Sequence, residues 1–259
     1  MKRLSRLILV FAVLFAVFIL LPPFLSGQFG PNPLMKTQDI FDLFTPLVLI
    51  PAYWLLFEVD RDKTPGRIEV IVFLVLAAVW VEGQGMHLSA NSIDNVVEGK
   101  TPALLVEPAG LVKDALAGSG VAALTFFYDE VLSHYLWHAA TMALAALLIF
   151  RQWRHPFTEA AHGLGNEVGA GVLHGLNYAL MVLEGETAPL GVPFAALVVV
   201  FTLVWGRGKL RQQPILAFFF VAFALATLVF LAWWLAWGCL AEPLDALHSV
   251  LQGSRPLCP

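Results

Sequence analysis

Seven long apolar segments dominate this chain of 259 residues and restrict what it can fold into. A helix needs about 20 mostly apolar residues to cross a bilayer. The segments span residues 4–25, 38–57, 67–88, 121–150, 158–183, 191–205 and 214–240. The chain is 59% hydrophobic and 13% charged, whereas about 25% of residues are charged in soluble domains. The sequence therefore predicts an all-α, polytopic membrane protein with about seven transmembrane helices in a single domain, residues 1–259.

Composition excludes several other classes of protein. The net charge is −4 and there are two cysteines, which is unlike a nucleic-acid binder, a disordered chain or a disulfide scaffold. An outer-membrane barrel would show alternating segments of about ten residues, and this sequence has long continuous apolar runs instead. We therefore expect membrane lipids as partners, and no nucleic acid.

Lysine and arginine alternate between the two sides of the predicted helices. With the N-terminus in the cytoplasm, 11 of the 15 basic residues fall on the cytoplasmic side. They are Lys2, Arg3, Arg6, Arg61, Lys63, Arg67, Arg151, Arg154, Arg207, Lys209 and Arg211. By the positive-inside rule this predicts a cytoplasmic N-terminus and an outer C-terminus. We expect an integral, multi-pass protein of a bacterial inner (cytoplasmic) membrane.

Two segments leave alternatives open. The basic N-terminus and the apolar run after it form either a retained anchor, which the length of the run favours, or a cleaved signal peptide. The outer loop, residues 95–120, places prolines and glycines around the apolar stretch 111–117. This pattern predicts a short interfacial helix or lid, with an ordinary surface loop as the alternative.

Most polar residues of the apolar segments fall in the third, fourth and fifth segments. Ionisable side chains are expensive inside a bilayer and usually face an interior where they serve a function. In the third segment His87, Asn91 and Asp94 share one helical face, because 3.6 residues make a turn. Glu82 points away from that face.

The fourth segment carries the strongest local pattern. Glu130, His134 and His138 follow each other at intervals of four residues, and Asp129 precedes them. Two imidazoles one turn apart can bind a single metal ion, the spacing used in zinc proteases. A carboxylate one turn further can act as ligand, as partner of a ligand or as general base.

The fifth segment adds a second polar stripe. Glu167, His174 and Tyr178 share a face, Asn177 is adjacent, and Glu184 stands at the outer boundary. Five glycines in this segment predict close packing against neighbouring helices. At a rise of about 1.5 Å per residue, the histidines of all three segments reach a similar depth in the outer half of the membrane.

These patterns predict a metal site with His87, His134, His138 and His174 as ligands. We expect zinc, with iron as the alternative, and a catalytic carboxylate among Glu130, Asp129 and Asp94. Possible additional ligands are Glu82, Asn91, Glu167, Asn177, Tyr178 and Glu184. The simpler interpretation is that these side chains form structural hydrogen bonds between helices.

A metal held by three or four histidines with an open position can activate water at neutral pH. The sequence thus predicts a zinc-dependent hydrolase acting on a lipid-like substrate from the outer half of the bilayer. One alternative is a di-iron or other redox-metal oxidoreductase acting on a lipid or quinone, since mixed carboxylate and imidazole ligands suit iron. Another is a metal or proton transporter, or a haem-binding protein. The oligomeric state stays open.

The residue set resembles that of the superfamily of alkaline ceramidases and progestin/adipoQ receptors. The resemblance implies an intramembrane zinc hydrolase in which His87, His134 and His138 are ligands, Asp94 is the acidic partner and Ser89 is the nearby serine. This chain departs from the family pattern, because the family places its paired histidines on the last helix. His174 and Glu130 have no counterpart in that pattern.

Overall fold

The structure, a computed structural model, describes residues 2–59, 64–97, 115–116, 118–157, 163–240, 243 and 246. Within these ranges the chain is a bundle of helices. They are α1 (Lys2–Leu20), α2 (Thr37–Val59), α3 (Arg67–Val97), α4 (Gly120–Arg154), α5 (Gly165–Glu184), α6 (Ala188–Phe201) and α7 (Pro214–Trp237). The prediction of a helical fold is confirmed.

A small hairpin follows α1. A 3-10 turn (Pro22–Phe24) leads into strand β1 (Gln28–Phe29), which pairs antiparallel with β2 (Asn32–Lys36). The hairpin delivers the chain directly into α2, whose first turn lies at the same end of the bundle as the last turn of α1.

Helix α4 contains an irregular segment that matters for the site. It begins as an α-helix (Gly120–Phe126), widens into a π-helix (Phe127–Ser133) and continues as an α-helix (His134–Arg154). The Ser119 side chain caps its start by accepting a hydrogen bond from the Ala122 amide at 3.3 Å. Helix α6 likewise continues through a π-helix (Thr202–Gly206) and a 3-10 segment (Arg207–Gln212).

The helix ends differ from the predicted segment bounds, most of all at the end of the third segment. Helix α3 extends to Val97, nine residues beyond the predicted end at Leu88. The first residues of the predicted fifth segment, 158–162, lie outside the described residues, as do residues 98–114 and 117 of the predicted outer loop. The proposed lid or interfacial helix at 111–117 therefore falls almost wholly outside the described part of the chain.

Among the described residues, six helical stretches have the length and apolar composition to cross a membrane, and α5 is not one of them. Large apolar side chains are exposed on the outside of the bundle, for example Leu47 at 59%, Ile68 at 78% and Leu235 at 68%. A soluble protein rarely exposes so much contiguous apolar surface. These features indicate a multi-pass membrane protein.

Helix α5 packs closely through its small residues. It packs mainly against α1 and α7. A Cβ atom on Gly171 would lie 2.8 Å from the Phe218 carbonyl oxygen, and one on Gly175 would overlap the backbone of Ala222. Gly163, Gly165 and Gly169 have nothing within 4 Å. The predicted glycine packing face thus exists on α5, but only two of the five glycines, Gly171 and Gly175, contribute to it.

Candidate functional site

One end of the bundle contains a cavity of about 210 Å³. It is enclosed by the last turn of α1, the first turns of α2, the second half of α3, the first half of α4 and the end of α5. Helices that are consecutive in the chain run in opposite directions, so these five helices meet at one end. The opposite end carries a buried ion pair, Arg151 Nη1 to Glu69 Oε2 at 2.5 Å.

Three of the four predicted histidine ligands line this cavity together. His87 comes from α3, and His134 and His138 come from α4. The ring centroids of His87 and His134 are 4.8 Å apart, and those of His134 and His138 are 5.7 Å apart. The cavity therefore combines imidazoles from two helices, as the spacing of HxxxH and the position of His87 predict.

Each of these imidazoles has an oxygen near its Nδ1 atom. His87 Nδ1 lies 2.8 Å from Asp129 Oδ1, His134 Nδ1 lies 3.0 Å from its own turn's Glu130 carbonyl oxygen, and His138 Nδ1 lies 2.5 Å from Thr187 Oγ1. The Nε2 atom of His138 is buried and has no hydrogen-bond partner. The contacts of His134 and His138 are hydrogen bonds, whereas His87 and Asp129 form a close pair without hydrogen-bond geometry. Histidine ligands of metals typically engage their second ring nitrogen with such an oxygen.

A close approach between α3 and α4 brings the histidines together. A Cβ atom on Gly83 would lie 2.8 Å from the Trp137 amide nitrogen and 2.9 Å from the Ser133 carbonyl oxygen. The two backbones therefore touch at Gly83, one turn before His87. At the far end of the site, a Cβ atom on Gly185 would overlap the His138 ring.

The π-helix in α4 determines where Asp129 points. In a regular helix Asp129 would lie about 140° from His134, since each residue turns about 100°. A π-turn holds about one more residue and brings Asp129 back toward the histidine stripe. The side chain is 2% exposed and lies beside His87. Asp129 is thus placed to orient His87 rather than to act as the predicted catalytic base, because it does not line the cavity.

The predicted acidic residues divide into two groups. Glu130 and Glu184 line the cavity, as does Asn91, whose amide donates a hydrogen bond to Asp39 Oδ1 at 3.3 Å. Asp94 does not line it, and Glu82 is exposed on the outside of α3. Ser89 donates a hydrogen bond to the Gly85 carbonyl oxygen at 2.9 Å. The structure therefore brings neither Asp94 nor Ser89 to the histidines.

His174 does not join the other three histidines. Its ring packs against those of Phe11, Phe15, Phe218 and Phe219, with centroid separations between 4.5 and 5.8 Å. It borders a second, much smaller cavity of about 10 Å³. The prediction that His174 is a fourth ligand does not match this arrangement, because equal depth in the membrane does not fix which way a helix face points.

The remaining predicted residues of α5 have local partners. Glu167 accepts a hydrogen bond from the Ser5 hydroxyl near the opposite end of the bundle. The Asn177 amide donates to the Leu173 carbonyl oxygen at 2.8 Å, and the Tyr178 hydroxyl donates to the Gly191 carbonyl oxygen at 2.8 Å. None of these three lines the cavity of the histidines.

Sequence reasoning missed several residues of the site. Gln38 and Asp42, one turn apart on α2, and Gln84 on α3 line the cavity, and Thr187 holds His138 from behind. A signal for Asp42 exists, because it lies one turn inside the apolar segment that begins at Gln38, where an ionisable side chain is costly. Its position at a predicted membrane boundary, where acidic residues are common, concealed it.

The ring separations are of the size that a shared ion requires, since three imidazoles around one tetrahedral ion at about 2 Å have centroids about 5 Å apart. As the side chains stand, however, the described residues present no group of three or more His, Cys, Asp and Glu placed to hold a metal ion. Metal binding at this cavity therefore requires the Nε2 atoms to move together while the Nδ1 atoms keep their partners.

No known protein family, curated protein or solved structure matches this chain. The resemblance to alkaline ceramidases and progestin/adipoQ receptors thus stays a prediction from a small residue set. The function has to be argued from the cavity itself.

Proposed function

We propose that this protein is a membrane-embedded, metal-dependent hydrolase that binds zinc and acts on a lipid-like substrate from the outer half of the bilayer. The observation that carries the proposal is the set of three cavity-lining imidazoles, each with an oxygen within 3.0 Å of Nδ1. A structural role requires only one hydrogen-bond partner for each histidine. It gives no reason for three imidazoles from two helices to line the same cavity.

The roles follow from the positions of the side chains. His87, His134 and His138 would hold the ion, which would supply an activated water at neutral pH. Glu130 lines the same cavity from the turn that precedes His134, where it would accept the proton of that water as general base. Asp129 and Thr187 would keep His87 and His138 in their orientations.

The proposal includes seven membrane crossings with a cytoplasmic N-terminus in a bacterial inner membrane. Helix α5 would be the seventh crossing: one face packs against α1 and α7, and the other presents the exposed apolar side chains Val168, Val172, Leu176 and Leu180 to lipid. The cavity then lies at the outer end. Arg67, Arg151 and Arg154 lie at the opposite ends of α3 and α4, in agreement with the positive-inside rule.

The test is the metal content of the detergent-purified protein, measured by mass spectrometry. We expect about one zinc per chain, lost in His134→Ala and retained in His155→Ala. His155 is the matched control because it follows the basic end of the same helix. Zinc-dependent cleavage of acyl lipids that disappears in Glu130→Gln would support hydrolysis. Wild-type protein without metal would overturn the proposal.

A redox-metal oxidoreductase is the second candidate. Asp42, Glu130 and Glu184 add three carboxylates to the three imidazoles around one cavity, and such mixed ligands suit iron. Two irons per chain with a visible absorption band would favour this function over hydrolysis.

A further inference from the structure

We infer that the cavity selects a substrate that carries a protonated amine, and that Asp42 and Glu184 bind it. This inference names the substrate class of the proposed hydrolase and rests on that proposed function. The residues that carry it are the lining residues other than the three histidines.

Three of the polar side chains lining the cavity are carboxylates, which only accept hydrogen bonds when ionised. Asp42, Glu130 and Glu184 contribute carboxylates from three different helices. Among the described residues that line the cavity there is no lysine or arginine. When all three are ionised, their charge exceeds the two positive charges of one zinc ion, and the cavity remains negative with the ion bound. A ligand that enters it gains by being cationic.

A buried amide oxygen points to the same kind of ligand. Gln84 is 4% exposed and lines the cavity, and its Oε1 atom has no hydrogen-bond partner. An unpaired buried acceptor costs about 1–3 kcal/mol. A ligand with N–H groups would satisfy this oxygen, and a ligand that offers only acceptors would not.

The carboxylates of Asp42 and Glu184 come from other helices than the histidine ligands. Asp42 lies on α2 and Glu184 at the end of α5, whereas all three imidazoles come from α3 and α4. The neighbouring Asp39 is already satisfied, because it accepts hydrogen bonds from the Lys36 amide at 2.7 Å and from Asn91. Asp42 and Glu184 are therefore the carboxylates that would bind the amine headgroup of the substrate, whereas Asp39 accepts hydrogen bonds from the protein itself.

Trp137 lines the same cavity with an aromatic ring, and its buried Nε1 donor has no hydrogen-bond partner among the described residues, so the ligand that fits best carries an acceptor beside its amine. Cations bind over aromatic rings, and most strongly over tryptophan. A cavity of about 210 Å³ holds a headgroup and the bond next to it, while the acyl chains stay in the membrane. An anionic phosphate headgroup would meet three carboxylates, so the same cavity discriminates against it.

The test uses three short probes on full-length protein in nanodiscs: hexylamine, hexanol and hexyl phosphate. Isothermal titration, corrected with empty nanodiscs, gives their affinities. We expect hexylamine to bind at least about tenfold more tightly than hexanol, since hydrogen bonds to charged groups are worth about 1.5–3 kcal/mol, and hexyl phosphate to bind most weakly.

Asp42→Asn should reduce hexylamine affinity about tenfold and leave hexanol affinity unchanged. Glu186→Gln is the matched control, because Glu186 is exposed two residues after Glu184 and does not line the cavity. Equal binding of hexylamine and hexanol by the wild type would overturn the inference. So would loss of zinc in Asp42→Asn, which would make Asp42 a metal ligand.

Zinc content separates the two proposals. Wild-type protein that lacks metal but prefers hexylamine would refute the hydrolase and support the amine site. Wild-type protein that binds zinc and shows no preference among the probes would refute the amine site and leave the metal centre standing.

Discussion

His138 and His174 are both buried imidazoles on neighbouring helices, at 0% and 2% exposure, and their surroundings differ completely. His138 has the Thr187 hydroxyl at Nδ1 and a cavity beside its ring. His174 has four phenylalanine rings around it, and its Nδ1 atom has no hydrogen-bond partner. Burial of a histidine in a membrane helix therefore does not define a functional site. A partner that anchors the ring and a cavity beside it are what mark His138 as a site residue.

The largest difference in zinc content should come from removing the imidazole rings of His138 and His174 one at a time. His138→Ala should abolish zinc binding, because it deletes a ligand, whereas His174→Ala should keep the wild-type zinc content. Mass spectrometry of both purified variants measures this. Zinc loss in His174→Ala, in a protein that still elutes as a single species, would show that the comparison is wrong and that His174 shares the metal site.

The anchoring partner of His138 should account for the next largest effect. Thr187→Val removes the hydroxyl but keeps the shape, and loss of such a partner typically weakens metal affinity about 10–100-fold. Thr141→Val is the control, since Thr141 donates at 2.8 Å to the backbone carbonyl of His138 and not to its ring. Zinc competition with a chelator measures both affinities. Equal values for the two variants would mean that Thr187 does not orient a ligand.

The same comparison shows what the sequence could predict. The apolar segments and the spacing of His134 and His138 depend only on local chain geometry. The helices and this pair of histidines could therefore be predicted from the sequence. His174 has the same local pattern, and only the packing of α1 and α7 around it reveals an apolar environment. Asp42 and Thr187 reach the site from segments distant in sequence, and Asp129 depends on a π-helix. Such long-range contacts leave little local signal.

Two glycines on α3 test whether the site depends on the approach of α3 to α4. Gly83→Ala should destabilise the protein by about 1–3 kcal/mol, because the added methyl group would overlap the α4 backbone. Gly85→Ala should be neutral or stabilising by up to about 1 kcal/mol, since Gly85 has nothing within 4 Å and alanine favours helix. Unfolding in mixed micelles measures the difference. Equal stability of the two variants would contradict the close approach at Gly83.

The smallest effect should come from replacing His174 with an apolar residue, and it is the sharpest form of the comparison. A buried imidazole nitrogen without a partner costs about 1–3 kcal/mol, and leucine at this position removes that penalty while packing against the same phenylalanine rings. The lost volume opposes the gain, so the free energy of unfolding of His174→Leu should equal or slightly exceed that of the wild type. His138→Leu should instead lose zinc together with the stability that bound metal provides. Strong destabilisation by His174→Leu with normal zinc content would show that His174 has a polar partner in the folded protein. The aromatic cage would then be a polar site of its own.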